Sequence, residues 1–240
     1  MEQKLEIDPY TANKIDEVLE KASVNNLELN HMFIDGSRFI NINGHPIFGY
    51  CRYYDFYNTI VKMSASEGVH FVEVGSFMGQ SSAIMAYLIE KSGKNITFDC
   101  VDIFEISDFS DNEHEEYVKV FGGDMFTTFA TNLKLTGLSQ YINQAYKGKS
   151  TDVAQLYEDM SVDVVYLDAS HKYEDVKDDI LAWWPKIKIN GYLAGDDFDQ
   201  SDVRDAVLEL FNDYKGNELG VYKKYGTWFV RKDSVFEVWN

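Results

Sequence analysis

The sequence predicts an α/β fold: a doubly wound, mostly parallel seven-stranded sheet, closed by a C-terminal antiparallel hairpin. Three observations predict it. From about residue 70 onward, short apolar runs alternate with amphipathic helical segments, the pattern of βα units covered on both faces. Three of these runs end on acid, at Val72-Glu73-Val74, at Leu167-Asp168 and at Gly195-Asp196-Asp197. The last two apolar stretches, 219–223 and 227–231, are joined only by Lys224-Tyr225-Gly226, a connection that suits a hairpin.

In chain order, residues 11–22 carry Ile15, Val18 and Leu19 at helical spacing and predict a helix on the outside of the fold. Residues 31–68 are aromatic-rich, and a helix from about 51 to 63 leads into the first core strand. Strands follow at 70–74, 97–101, 141–146, 163–167 and 190–194. Between them, Ile84, Leu88 and Ile89 give 83–91 an apolar face, as Val176, Ile180, Trp184 and Ile187 do for 174–187. Residues 202–214 repeat the pattern with Val203, Val207, Leu210, Phe211 and Tyr214. The acidic, aromatic stretch 103–131 breaks the rhythm; it reads either as a substrate lid or as a solvated loop plus one helix packed by its aromatics. The expected organisation is a helical, aromatic extension at 1–64 packed on a ligand-binding domain at 65–240, with a lid-like insertion at 103–131.

A chain of 240 residues can bury a sizeable core. Its net charge of −18 argues against nucleic acid, whose phosphates call for Lys and Arg, and against anionic membrane surfaces. No run reaches about 18 apolar residues and no basic segment precedes an apolar one at the start, so the expectation is a soluble, cytoplasmic protein. Aromatic residues near the N-terminus suit either a homo-oligomer interface or a cover for the sheet. Cys51 and Cys100 fit neither a disulfide framework nor a zinc spacing, and Cys100 reads as a packed, reduced thiol. His31, His45, His70 and His114 have no partner spacing and read as structural or solvent-facing.

The turn after the first core strand is Gly75-Ser76-Phe77-Met78-Gly79. It lacks the spacing of a dinucleotide fingerprint and the Gly-Lys-Ser/Thr ending of a P-loop, and no Lys or Arg lies between 63 and 90 to meet a pyrophosphate. Glu73 ends the strand instead, which suits a ligand with hydroxyls or positive charge, and S-adenosylmethionine has both. Gly75 and Gly79 allow close backbone approach, while Ser81 and Ser82 open the helix and offer contacts to a carboxylate. Asp102 ends the second strand, where it can accept both ribose hydroxyls.

Asp168 and the pair Asp196 and Asp197 end two strands. Neighbouring strands lie about 4.8 Å apart, so the three carboxyl groups can meet around one ion. All-oxygen ligation suits Mg²⁺; the bland alternative is that Asp197 caps the next helix while Asp196 faces solvent. His171, three residues past Asp168, has an ordinary pKa suited to deprotonating a hydroxyl, with Lys172 as second choice and a loop-holding histidine as the structural alternative. Tyr173 and Phe198 flank this site as candidate walls of an acceptor pocket.

Over residues 65–232 the chain resembles class I S-adenosylmethionine-dependent methyltransferases, and most closely the metal-dependent small-molecule O-methyltransferases of the macrolide, sugar and cephalosporin hydroxylase-like group. The resemblance is carried by Tyr166-Leu167-Asp168-Ala169-Ser170-His171-Lys172-Tyr173-Glu174-Asp175-Val176, then Asp179, Trp183, Pro185, Gly191 and Gly195-Asp196-Asp197. It implies the Rossmann-like methyltransferase fold, S-adenosylmethionine as cofactor, Mg²⁺ at Asp168, Asp196 and Asp197, and His171 as catalytic base. Glu73, Gly75, Ser76, Gly79, Ser81, Ser82, Asp102 and Asp168 become cofactor contacts, and Ser150, in Gly148-Lys149-Ser150, a contact near the adenine. The acceptor implied is a small-molecule hydroxyl, on a sugar or a secondary-metabolite scaffold. A metal-independent methyltransferase with another acceptor atom and a non-catalytic ligand-binding module are the alternatives.

Overall fold

The computed structural model describes residues 39–65, 67–105, 123–211, 219–222 and 226–233. These group into two compact units. The larger comprises Cys51–Ser76, Ile84–Ile103 and the described residues from Gln140 onward; the smaller comprises the described residues up to Tyr50, Phe77–Ala83 and the described part of Phe104–Ser139. The expected helix at 11–22, most of the lid-like segment, His31 and His114 lie outside the described residues.

The larger unit is built on one seven-stranded sheet. Its strands are β3 (Glu67–Val74), β4 (Asn95–Asp102), β5 (Gln144–Lys147), β6 (Val162–Leu167), β7 (Ile187–Gly195), β8 (Gly220–Tyr222) and β9 (Thr227–Arg231), in the order β5-β4-β3-β6-β7-β9-β8. All neighbours are parallel from β5 through β7, whereas β9 runs antiparallel to both β7 and β8. The doubly wound sheet with its closing hairpin is therefore the expected one. The strand expected at 141–146 starts later, because Ser139–Tyr141 forms a 3-10 turn and the ladder to β4 begins at Asp99↔Gln144.

Period-two alternation divides the strands between two cores. Val72 and Val74 of β3 and Val165 and Leu167 of β6 join a cluster with Val176, Ile180 and Trp183 of the helix Tyr173–Trp183 and with Val203, Val207 and Leu210 of the helix Ser201–Phe211. On the alternate positions, Phe71 and Tyr166 meet Tyr53, Phe56 and Tyr57 at the start of the helix Tyr54–Met63, with ring centroids 4.4–5.3 Å apart. Burying these rings supplies the main driving force on that side, at roughly 25 cal/mol per Å² of apolar surface.

One buried polar cluster lies early on the strands. Asp99 of β4 accepts from His70 Nε2 (2.7 Å), Asn143 Nδ2 (2.8 Å) and the Tyr157 hydroxyl (2.8 Å). Burial alone would raise this carboxyl, but the three donors outweigh it and hold it below the ordinary carboxylate range. His70 is thus a structural hydrogen-bond partner of Asp99.

The smaller unit contains a hairpin that sequence reasoning overlooked, β1 (Phe39–Ile42) paired with β2 (His45–Phe48). Its turn places Asn43 and Gly44 at φ +53° and +87°, the left-handed pair of a tight hairpin turn. The helix Met125–Leu135 is capped by Asp124, whose side chain accepts from the Thr127 amide. Asn132 on that helix ties the unit together: its Oδ1 meets His45 Nε2 at 2.9 Å and its Nδ2 donates to the Met78 carbonyl at 2.7 Å. Gln80 Nε2 adds a bond to the Ile47 carbonyl at 2.9 Å. Among the described residues no helix is long and apolar enough to cross a membrane.

Candidate functional site

The carboxyl ends of β3, β6 and β7 in the larger unit continue their ladder beyond the last strand residue. The Gly75 amide donates to the Val101 carbonyl, the Asp168 amide to Val74 and the Asp196 amide to Leu167, at 2.8, 2.8 and 3.1 Å. These bonds fix the backbone on which the acidic side chains stand. Gly75 is required here: at φ +94° a side chain is strained, and an added Cβ would lie 1.9 Å from the Asp168 carbonyl oxygen. The close approach is thus between two loop backbones of the protein itself. Gly75→Ala is expected to cost roughly 3–5 kcal/mol in denaturant unfolding, the range of severe core and backbone lesions; a loss below about 1 kcal/mol would mean that the two loops separate easily.

Glu73 is fully buried, and its two oxygens accept from the Tyr57 hydroxyl and the Ser76 hydroxyl, each at 2.8 Å. It therefore holds the start of the glycine turn from inside. Asp102, half-buried, ends β4, and its carbonyl accepts from the Gly148 amide at 2.9 Å. Ser150 begins a short helix, Ser150–Ala154, and its hydroxyl accepts from Trp183 Nε1 at 2.7 Å. It also bonds Asp179, whose carboxyl burial pushes up to about 6 against the pull of that bond. The Ser150 side chain is thus turned into the packing of the helix Tyr173–Trp183. The smaller unit contains the other proposed cofactor residues. There Gly79 lies at φ +87° with Phe129 Cδ2 3.0 Å from where a Cβ would stand, and Ser81 and Ser82, in the first turn of the helix Gln80–Ser92, are buried.

Asp168, His171 and Asp197 converge: each offers a ligand atom, all within 4.8 Å of one another. His171 Nε2 lies 3.0 Å from Asp197 Oδ2 and 3.6 Å from Asp168 Oδ1, and Gln200 Nε2 faces its Nδ1 at 3.2 Å. Asp196 is outside this converging set. It is 5 % exposed, so it does not face solvent, and its Oδ1 has no hydrogen-bond partner. Asp197 holds a left-handed backbone at φ +58°, uncommon for a residue with a side chain.

Two neighbours of this centre escaped the sequence reading. Arg52 Nη2 donates to Asp197 Oδ1 at 2.5 Å with Nε 3.9 Å from Asp196 Oδ2, and the Tyr53 hydroxyl donates to Asp168 Oδ2 at 2.8 Å. Arg52 and Asp197 are 145 positions apart, and no local pattern announces such a contact.

The crowding moves every proton equilibrium in the cluster. Hydrogen bonds to Asp168 and Asp197 raise His171 to about 10 despite its burial. Burial, reinforced by the charges of Asp168 and Asp197, raises Asp196 to about 8. Burial also raises Asp168, past the opposing bonds from His171 and Tyr53. Asp197 goes the other way: burial would raise it, but His171, Gln200 and Arg52 together hold it below the ordinary range. Asp168 and Asp197, with the buried unpaired oxygen of Asp196 beside them, are hard oxygen donors of the kind that could hold a divalent cation such as Mg²⁺. A cleft lined by Asp168, Ser170, His171, Asp179, Asp196 and Trp228 opens beside them.

The family described as a methyltransferase domain matches residues 72–198, just over half of the chain. No curated protein matches the sequence. Among solved structures, the O-methyltransferase NovP is similar at 15 % identity and TM-score 0.63, over 94 % of this chain and 98 % of that one. An O-methyltransferase from Bacillus cereus, in complex with SAH, is similar at 12 % identity and TM-score 0.50, over 94 % and 91 %. A Clostridium thermocellum protein named as a candidate rRNA methylase is similar at 14 % identity and TM-score 0.52, over 78 % and 99 %. At these identities the likeness is one of fold, and it does not choose the acceptor.

Proposed function

The chain belongs to the methyltransferase-domain family, and on that premise we propose that it moves the methyl group of S-adenosylmethionine to a hydroxyl of a small molecule, with Mg²⁺ at the acid centre. The observation that carries this reading is the convergence of Asp168, His171 and Asp197, with Asp196 buried beside them and one of its oxygens unpaired. A proton acceptor and a cluster of hard oxygen donors in one place suit the activation of a hydroxyl. They have no evident use for an acceptor that is already nucleophilic, which disfavours the metal-independent alternative. The net charge of −18 disfavours RNA.

Asp168 and Asp197, supported by Asp196, would hold the cation. Bound there, it would lower the pKa of a hydroxyl and orient it. His171 would take the proton at Nε2; its Nδ1 then carries the ring hydrogen, so Gln200 beside Nδ1 must present its amide oxygen there to set the ring's orientation. The methyl group passes in line from sulfur to oxygen: the C–S bond breaks, the C–O bond forms, and the neutral thioether leaves without needing a proton. Placement of the two reactants therefore supplies much of the acceleration. For the cofactor, Asp102 would take the ribose hydroxyls, with Gly75 and Ser76 forming the turn beside it and Glu73 bracing that turn from behind. Ser150, whose hydroxyl is already spent on Trp183 and Asp179, would contribute through its backbone.

Titration calorimetry with S-adenosylhomocysteine tests the cofactor half of the proposal. Saturable heat is expected, and Asp102→Ala should weaken binding by about 1–3 kcal/mol, the scale of lost hydrogen bonds to a charged group. Folded protein that gives no heat at millimolar ligand would end the reading.

A further inference from the structure

Arg52 reaches the acid centre from solvent. Its side chain is 50 % exposed, whereas those of Asp196 and Asp197, which it meets, are 3 % and 9 % exposed. The guanidinium spans both: Nη2 bonds Asp197 Oδ1, and Nε stands 3.9 Å from Asp196 Oδ2. The other oxygen of Asp197 faces His171 Nε2, and Asp168 receives the Tyr53 hydroxyl on one oxygen and faces His171 with the other. Among the described residues, the buried Asp196 Oδ1 has no hydrogen-bond partner. The chain thus supplies its own positive charge to a group of carboxylates that would otherwise repel one another or take up protons.

We propose that Arg52 is a built-in counter-ion of the acid centre, which steadies the carboxylates before a divalent cation binds and thereby lowers the affinity for that cation. The inference rests on the metal reading above. A guanidinium is attracted to a cluster of carboxylates, and that attraction weakens or reverses once two positive charges stand among the same oxygens. Whatever stabilises the cation-free state more than the loaded one must weaken loading. Arg52 is exposed enough to swing outward, so the cost of displacing it is moderate and binding stays reversible. The competing possibility is that Arg52 helps by fixing Asp197 in position, as partners of metal ligands often do. That possibility predicts an effect of the opposite sign.

The experiment is a Mn²⁺ titration of the full chain, read from the electron paramagnetic resonance signal of free Mn²⁺, for the wild type, Arg52→Gln and Arg52→Lys. Circular dichroism checks that each variant is folded; the Arg52 side chain is half exposed. Arg52→Gln is expected to bind Mn²⁺ roughly tenfold more tightly, a moderate value for one partly screened charge beside a divalent ion. Arg52→Lys, which keeps the charge, should stay within about threefold of the wild type. Thermal melting gives a second readout: Arg52→Gln should lower the Tm of the chelated protein more than that of the Mn²⁺-loaded protein. Equal or weaker Mn²⁺ binding by Arg52→Gln overturns the inference while leaving the metal site standing. No Mn²⁺ binding by any of the three proteins removes the metal site, and the inference with it.

Discussion

His171→Ala is expected to lower kcat by roughly 10²–10⁴-fold, the usual span for the loss of general acid–base catalysis, with S-adenosylhomocysteine affinity nearly unchanged. The residue meets Asp168, Asp197 and Gln200, and its part in the proposal is proton transfer. The pH dependence separates a base from a loop-holding histidine. In the cation-free protein the folded pKa is about 10, above the ordinary 6.5. The ion pairs therefore contribute stability fully below about pH 6.5, and that contribution is lost as pH rises through about 10. In excess chelator, His171→Ala should be clearly less stable than the wild type at pH 6, with the gap closing toward pH 10.5. Catalysis needs the neutral ring, so it needs the carboxylates committed to a cation instead. The kcat profile of the Mg²⁺-saturated enzyme should accordingly rise through an ionisation well below 10 that is absent from the variant. Near-normal kcat in His171→Ala would leave Lys172 or solvent as proton acceptor.

Excess chelator is expected to bring turnover to background while leaving cofactor binding largely intact, and Mg²⁺ should restore it, with Mn²⁺ a workable substitute. The Asp196→Asn/Asp197→Asn variant should show the same loss without rescue. The single variant Asp196→Asn is as telling in chelator. Asp196 is buried, carries an unpaired oxygen and is pushed up to about 8 by burial and by its two acidic neighbours. Neutralising it alone removes a charge that the cation-free fold tolerates poorly and keeps the bonds of Asp197 to Arg52 and His171, so Asp196→Asn should be at least as stable as chelated wild type above pH 8, where Asp196 would otherwise ionise. Full activity of the wild type in chelator would favour the metal-independent alternative.

What could be read from the sequence follows from the range of the interactions involved. β3, β6 and β7 announce themselves because strands buried on both faces are short apolar runs; Glu73 is the last residue but one of β3, and the acids after β6 and β7 are simply the next residues. His171 lies close to Asp168 in sequence, so a single loop brings them together. Asp197 joins them through the parallel pairing of β6 with β7, which the alternation of strands and helices implies. The hairpin β1–β2 was legible and overlooked: Asn43-Gly44 between apolar stretches is a strong hairpin signal. Arg52 and Tyr53 were not legible. They reach the acids only because the helix Tyr54–Met63 packs on Phe71 and Tyr166, and a ring-on-ring contact of that kind leaves no spacing in the chain. Gly75 reads in the sequence as a position of close backbone approach to a ligand; in the fold a Cβ there would meet the Asp168 carbonyl. Local sequence marks where backbone must come close; what it comes close to is decided by the sheet.

A crystal structure of the protein grown with S-adenosylhomocysteine and Mn²⁺, with diffraction measured at the manganese absorption edge, tests the central claim most directly. The account predicts one strong anomalous peak at coordination distance from the Asp168 and Asp197 carboxylates, with the cofactor's ribose on Asp102 and His171 Nε2 facing the open side of the ion. A cofactor bound as expected, with no anomalous density among Asp168, Asp196 and Asp197 at saturating Mn²⁺, would contradict it.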